Sequence, residues 1–190
     1  MAGMTALPTG PRRHISTTET AKLIRAALKH AFPGITFSVR SKKYSGGSSI
    51  DVDWIDGPTK QEAEKVYQRF EGASFDGMID LKSYHDTELN GELVHFGADY
   101  VFGNRNLSEA FLPPIAARIA AQYGVPVPEI QVSEYSGAYI DNDYSLRFDT
   151  RETGMEPLGT IIYRAAIQMS ALPKPRVRIT AIARPCAAVA

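Results

Sequence analysis

The fold is indicated most clearly by residues 16–54, STTETAKLIRAALKHAFPGITFSVRSKKYSGGSSIDVDW. Ser16 and Glu19 have the spacing of a capping box, in which each side chain bonds the backbone N–H of the other residue. Apolar residues at helical spacing follow them: Leu23, Ile24, Ala27, Leu28 and Ala31. Because proline and glycine stop a helix, Pro33 and Gly34 end this one. The stretch therefore begins with an amphipathic helix.

Two alternating runs come after the helix. Ile35, Phe37 and Val39 alternate with polar residues, and the same pattern returns at residues 50–54. Alternation with a period of two is typical of a strand that buries one face. The connection, residues 41–49, is longer than a tight turn, so we expect its tip to be exposed. The two runs predict a β-hairpin packed on a core.

Similar signals continue along the chain. A second capping box at Thr59 and Glu62 predicts another helix, and further helices are predicted within residues 108–123 and 157–171, with strand pairs between. A single strand is predicted for residues 93–102, and one more for residues 177–183. The predicted fold class is α+β, with a mostly antiparallel sheet and helices packed on one face. We expect a flexible N-terminal tail (1–15), a single α+β domain (16–172) and a basic, small-residue C-terminal segment (173–190).

Composition excludes several classes of protein. The chain has 190 residues, of which 44% are hydrophobic and 22% charged, as in ordinary globular proteins. Its one cysteine, Cys186, cannot form an intrachain disulfide, and no apolar run has the length of a membrane span. The N-terminus lacks the apolar core of a signal peptide. We therefore expect a cytoplasmic location in a bacterial host cell and no membrane partner.

Known catalytic, metal and cofactor motifs are not recognisable in the sequence. His85, Asp86, Glu88 and His95 do not have zinc-ligand spacing, and the acidic turn at residues 141–143 does not continue with the fixed ligand spacing of a calcium loop. We therefore expect no catalytic residue, no metal and no cofactor, and enzymatic activity is disfavoured. An active site assembled from scattered residues stays open.

One candidate binding segment lies at the predicted hairpin tip. It combines cations, a ring that could stack, a hydroxyl and two glycines that let a ligand approach the backbone: Arg40, Lys42, Lys43, Tyr44, Ser45, Gly46 and Gly47. This set suits a phosphate, a nucleic-acid backbone or an acidic protein surface. The alternative is a solvated hairpin tip in which the glycines only make the bend.

A second candidate surface is acidic. The formal charge is zero overall, but residues 1–60 carry +5 and residues 61–120 carry −5. Residues 61–120, the acidic third of the chain, contain the predicted contacts Asp76, Asp80, Asp86 and Glu88. Such a surface could occupy the basic groove of a nucleic-acid enzyme, where complementary charge speeds docking. The alternative is that the two thirds neutralise each other within the fold.

Four segments together resemble one known family: residues 21–44, AKLIRAALKHAFPGITFSVRSKKY; residues 45–54, SGGSSIDVDW; residues 70–86, FEGASFDGMIDLKSYHD; and residues 96–105, FGADYVFGNR. Over about residues 17–108 the chain is similar to the large polyvalent protein-associated domain 29 family. This resemblance implies a protein of phages, plasmids or other mobile elements. It further implies an association with countering host defences. No catalytic residues are carried over from it.

Two functions follow as hypotheses. The first is a non-enzymatic binding protein that inhibits a host defence complex, of the anti-CRISPR or antirestriction type, with a defence protein or nucleoprotein complex as its partner. The second is a nucleic-acid-binding accessory protein that handles or protects incoming DNA. The target and the oligomeric state stay open.

Overall fold

The computed structural model describes residues 12–76, 78, 81–134, 136–142, 147–150 and 154–172. Within these residues the α-helices are α1 (Thr17–Ala31), α2 (Lys60–Tyr67), α3 (Leu112–Tyr123) and α4 (Leu158–Gln168). The strands are β1 (Arg13–Ile15), β2 (Phe37–Tyr44), β3 (Gly47–Ile55), β4 (Ala73–Asp76), β5 (Leu81–Tyr84), β6 (Thr87–Leu89), β7 (Glu92–Phe96), β8 (Tyr100–Asn106), β9 (Ile130–Ser133), β10 (Gly137–Ile140), β11 (Arg147–Thr150) and β12 (Gly154–Pro157). A predicted strand at residues 177–183 lies outside the described residues.

Both predicted capping boxes are confirmed. At the start of α1, Ser16 N donates to Glu19 Oε2 (3.0 Å) and Glu19 N donates to Ser16 Oγ (3.3 Å). At the start of α2, Thr59 and Glu62 exchange the same pair of hydrogen bonds. These contacts satisfy backbone donors that have no partner in the first turn of a helix. Local sequence therefore sets the beginning of both helices.

The strands form five small sheets that are mostly antiparallel, which confirms the α+β class. The central sheet has the order β2-β3-β8, and β8 lies parallel to β3. A single strand was predicted for residues 93–102, but the chain divides there into β7 and β8. The division occurs because Gly97 N donates to Ile15 O (2.7 Å) and Asp99 N donates to Ser48 O (3.1 Å), so the chain changes its partner from β1 to β3.

The prediction of a long connection over residues 41–49 of the hairpin is wrong. Strands β2 and β3 stay paired as far as Tyr44 and Gly47, and only Ser45 and Gly46 form the turn. Gly46 has a φ of 86°, a conformation that costs glycine little and allows so short a turn. Lys42, Lys43 and Tyr44 are consequently strand residues.

Two hydrophobic cores lie within the predicted domain. In the first, α1 and α2 cover one face of the central sheet, with Leu28 and Trp54 among the buried side chains. In the second, α3 and α4 pack together around Leu112 and Ile162. Residues 13–15 were predicted to belong to the tail, but they form β1 because Ile15 is buried in the first core.

Arg105 connects the two cores. Its side chain is only 9% exposed and donates to five backbone carbonyls: Asp56 (2.7 Å), Gly57 (3.4 Å), Ala166 (3.4 Å), Ile167 (3.1 Å) and Met169 (2.8 Å). The last three carbonyls lie at the C-terminal end of α4, where the helix dipole favours a cation. Burial lowers the pKa of Arg105 from its ordinary value, but guanidinium stays charged in proteins. One charged side chain thereby joins the β3–α2 connection to α4.

Candidate functional site

The outer face of the central sheet is the candidate site. Successive strand residues point to opposite faces, and Val39, Val52 and Gly103 lie together on the face that α1 and α2 cover. The opposite face carries three rows of paired residues: Lys42, Ser49 and Tyr100; Arg40, Asp51 and Phe102; and Ser38, Asp53 and Asn104. In the described part of the chain, four residues of these rows are exposed: Arg40, Lys42, Phe102 and Asn104.

Three aromatic rings lie on this face. Tyr100 and Phe102 stack with their ring centroids 6.1 Å apart and their planes 27° apart. Phe102 is 52% exposed, and so is Tyr44 at the end of β2. A large ring on an open sheet offers a flat apolar surface against which another flat group can stack.

Cations lie beside the rings, and each has a carboxylate neighbour. Lys42 Nζ is 2.6 Å from Asp51 Oδ2, and Arg40 Nη2 is 3.9 Å from Asp53 Oδ2. Arg40 and Lys42 are largely exposed, whereas Asp51 and Asp53 are mostly covered. The cationic ends therefore lie toward solvent and the carboxylates lie close to the sheet.

A further cation reaches the face from the β4–β5 hairpin. Lys82 Nζ lies 2.9 Å from Asp99 Oδ2 and 5.8 Å from the centroid of Tyr100. Asp99 Oδ2 also accepts from Ser48 N (2.7 Å), so the carboxylate is fixed by the backbone of β3. The hydrogen bond that Lys82 donates to Asp99 raises the pKa of the Lys82 ammonium, which is charged at neutral pH. We call Arg40, Lys42, Tyr44, Lys82, Tyr100 and Phe102 the aromatic–basic face.

Gly47 gives Tyr44 its position on this face. A Cβ atom at Gly47 would lie 2.9 Å from Cε2 of Tyr44 and 2.8 Å from Oδ2 of Asp99. Both distances are shorter than van der Waals contact. The missing side chain therefore lets the Tyr44 ring lie over the backbone of β3, next to the carboxylate that binds Lys82.

The predicted binding segment is distributed over two faces. Arg40, Lys42 and Tyr44 lie on the aromatic–basic face, whereas Lys43 points to the opposite side of β2. Ser45 and Gly46 are exposed in the turn. Lys82, Tyr100 and Phe102 were missed in the sequence, because their place beside β2 and β3 depends on pairings that are distant along the chain.

Of the four predicted acidic contacts, the structure describes the side chains of Asp86 and Glu88. Asp86 lies 3.1 Å from Arg12 and 3.4 Å from His95, while Glu88 is exposed on β6. Asp76 ends β4, and Asp80 lies outside the described residues. Other acids of this third have internal partners: Glu62 in its capping box, Glu64 with Lys60, Glu71 with Val101 N, and Glu92 with Arg13.

Among the described side chains, no group of three or more His, Cys, Asp or Glu residues could hold a metal ion. In the same part of the chain, none of the helices combines the length and the apolar character needed to cross a membrane.

The architecture is that of an α+β domain with one sheet face covered by helices and the other open. Residues 15–108 match the family model of the large polyvalent protein associated domain 29, so this segment of the chain belongs to that family. Such domains are associated with polyvalent proteins of mobile elements. The whole aromatic–basic face lies within the matched segment, and α3 and α4 follow it. No curated protein and no solved structure matches the chain.

Proposed function

We propose that this protein is a nucleic-acid-binding accessory protein of a mobile element, and that it binds single-stranded nucleic acid, such as incoming DNA, on its aromatic–basic face. The observation that carries the proposal is the exposed stack of Tyr100 and Phe102 on an open sheet, with Tyr44 and three cations beside it. Aromatic side chains that stack with bases, together with cations that bind phosphates, are the usual parts of a single-strand site.

Stacking supplies most of the binding energy in this proposal. One base stacked on an aromatic side chain contributes about 1–3 kcal/mol. Residues two apart on a strand are spaced by about 6.8 Å, so Tyr100 and Phe102 can each receive one base of an extended strand. A duplex keeps its bases stacked inside the helix, and it therefore cannot use these rings.

The cations have a smaller role, because each already lies near a carboxylate. A phosphate that approaches Lys42 or Arg40 also approaches Asp51 or Asp53. Coulomb attraction and repulsion then partly cancel. We therefore expect a shallow dependence of affinity on salt, with each phosphate-bound cation contributing about −0.7 to the slope of log K against log salt.

The test is a fluorescence-anisotropy titration with a labelled single strand of about 12 nucleotides, within the size range of known single-strand sites, and with its duplex. We expect the single strand to bind and the duplex to bind at least about tenfold more weakly. Lys42→Gln should weaken binding, whereas Lys29→Gln on the exposed side of α1 should not. Equal binding of both nucleic acids, or of neither, would overturn the proposal.

A second candidate function is the inhibition of a host defence complex through protein contact. It is supported by two half-exposed rings, Phe75 and Tyr84, on one face of the β4–β5 hairpin, and by the mobile-element family. Exposed apolar surface is typical of protein contacts. Purification of the tagged protein from a bacterial lysate, with and without nuclease, separates the two functions. A stoichiometric protein partner that survives nuclease and is lost with Phe75→Glu favours inhibition.

A further inference from the structure

A cavity of about 430 Å³ opens beside the aromatic–basic face, where the two cores meet. The family-matched segment contributes Asp53, Lys60 and Asn104 to its wall, and the following part of the chain contributes Ser136 and Tyr163. The cavity is thus completed by residues that lie beyond the family match. Its volume is in the range of small-ligand sites.

The cavity continues the rows of the open sheet. Asp53 and Asn104 form the row that follows Arg40, Asp51 and Phe102, at a spacing of about 6.8 Å along the strands. A strand whose bases stack on Tyr100 and Phe102 therefore reaches the cavity with its next nucleotide.

Asp53 and Asn104 supply hydrogen-bond acceptors to the cavity wall. Asn104 Nδ2 donates to Asp53 Oδ1 (3.3 Å), an arrangement that keeps the Asn104 amide oxygen as an acceptor. The Asp53 carboxylate has about four acceptor positions, more than its contacts with Asn104 and Arg40 require. The half-exposed ring of Tyr163 forms part of the wall. A planar group with an outward N–H donor fits this chemistry.

We infer that this cavity takes one base of the bound strand and favours a base with an amine at the position of cytosine N4 or adenine N6. The inference rests on the proposed function. An exocyclic amine donates to Asp53 and Asn104, as carboxylate and amide side chains do when they read cytosine and adenine. Thymine and uracil present a carbonyl oxygen at the corresponding position, which would face the carboxylate without a proton between them.

The experiment compares oligo-dC with oligo-dT of equal length. Cytosine and thymine have similar stacking areas, but cytosine carries an amine where thymine carries a carbonyl oxygen. We expect the protein to bind oligo-dC about 5- to 150-fold more tightly, the range that one good base-edge contact supplies. Asp53→Asn and Asn104→Ala should bring the ratio close to one without weakening oligo-dT.

Asp51→Asn is the matched control, since it removes the same charge from the same face but lies outside the cavity wall. It should change both affinities and leave their ratio intact. Equal affinity of the unmodified protein for oligo-dC and oligo-dT would overturn the inference and leave the proposed function standing. Binding of neither oligonucleotide would overturn both, and a ratio that survives Asp53→Asn and Asn104→Ala would refute the cavity as its source.

Discussion

Lys82 Nζ lies 2.9 Å from Asp99 Oδ2 and stands between two rings, 5.2 Å from the centroid of Tyr84 and 5.8 Å from that of Tyr100. A hairpin outside the central sheet thus places a cation among the rings of the open face. Asp99 fixes the ammonium, and the backbone of Ser48 fixes Asp99. Such prearranged positions lower the entropy lost when a ligand binds.

The first prediction concerns this cation. Lys82→Gln removes one positive charge next to Tyr100, so binding of a single strand should weaken and the salt slope should become shallower by about 0.7. Anisotropy titrations at several salt concentrations measure both quantities. Lys65→Gln on the exposed side of α2 is the control and should leave them unchanged. An unaltered slope for Lys82→Gln would show that this ammonium does not bind phosphate.

The second prediction concerns Gly103 and Tyr67 in the first core. A Cβ atom at Gly103 would collide with the Tyr67 hydroxyl, and that buried hydroxyl has no hydrogen-bond partner among the described residues. Gly103→Ala should therefore destabilise the fold, at a cost of about 1–3 kcal/mol for overpacking. Tyr67→Phe should be neutral or stabilising, because it removes a buried polar atom that has no partner. Urea denaturation measures both changes.

The double variant of this pair gives the sharper result. In Tyr67→Phe/Gly103→Ala the hydroxyl that causes the collision is absent, so the double variant should be more stable than Gly103→Ala alone. The coupling free energy obtained from the double-mutant cycle of these two substitutions should be at least about 0.5 kcal/mol, as for residues in direct contact. Simple additivity of the two changes would argue against this packing.

The third prediction concerns Arg105. Arg105→Met leaves the five carbonyls without their common donor, and each buried unsatisfied group costs about 1–3 kcal/mol. We expect a loss of at least about 3 kcal/mol in the free energy of unfolding, measured in urea, since several of these groups stay buried. Arg118→Met on the exposed side of α3 is the control and should cost less than about 0.5 kcal/mol. A similar cost for both variants would contradict the role of Arg105 as the connection between the cores.

The fourth prediction concerns pH. Burial raises the pKa of Glu71, partly opposed by a hydrogen bond from Val101 N. A carboxyl whose pKa is raised in the folded state stabilises the fold below its unfolded pKa, and this contribution is lost as the pH rises through the folded pKa. Glu71→Gln keeps the acceptor without the charge, so it should raise the melting temperature at pH 7 and have a smaller effect at pH 3.5. Glu109→Gln, at an exposed position, is the control. An equal gain for Glu71→Gln at both pH values would contradict this assignment.

Local signals predicted the helices well, because a capping box and a 3.6-residue period are complete within one segment. They could not predict that β8 pairs with β3, since the period of a strand does not name its partner. In β8 the outward positions hold Tyr100 and Phe102, while Gly103 and Arg105 point inward. Hydrophobic alternation alone would predict that Tyr100 and Phe102 point inward and that Gly103 and Arg105 point outward. Gly103 is inward because Tyr67 fills its space, and Arg105 because five carbonyls bind it.

The binding of a single strand by a variant without the ring stack tests the central claim most directly. Tyr100→Ala/Phe102→Ala should weaken the binding of a labelled single strand by at least about 30-fold, since each stacked base contributes about 1–3 kcal/mol. Met155→Ala, which truncates a side chain of similar exposure on β12, should bind like the unmodified protein. If the double variant keeps its fold by circular dichroism and still binds within twofold of the unmodified protein, the aromatic–basic face is not the nucleic-acid site.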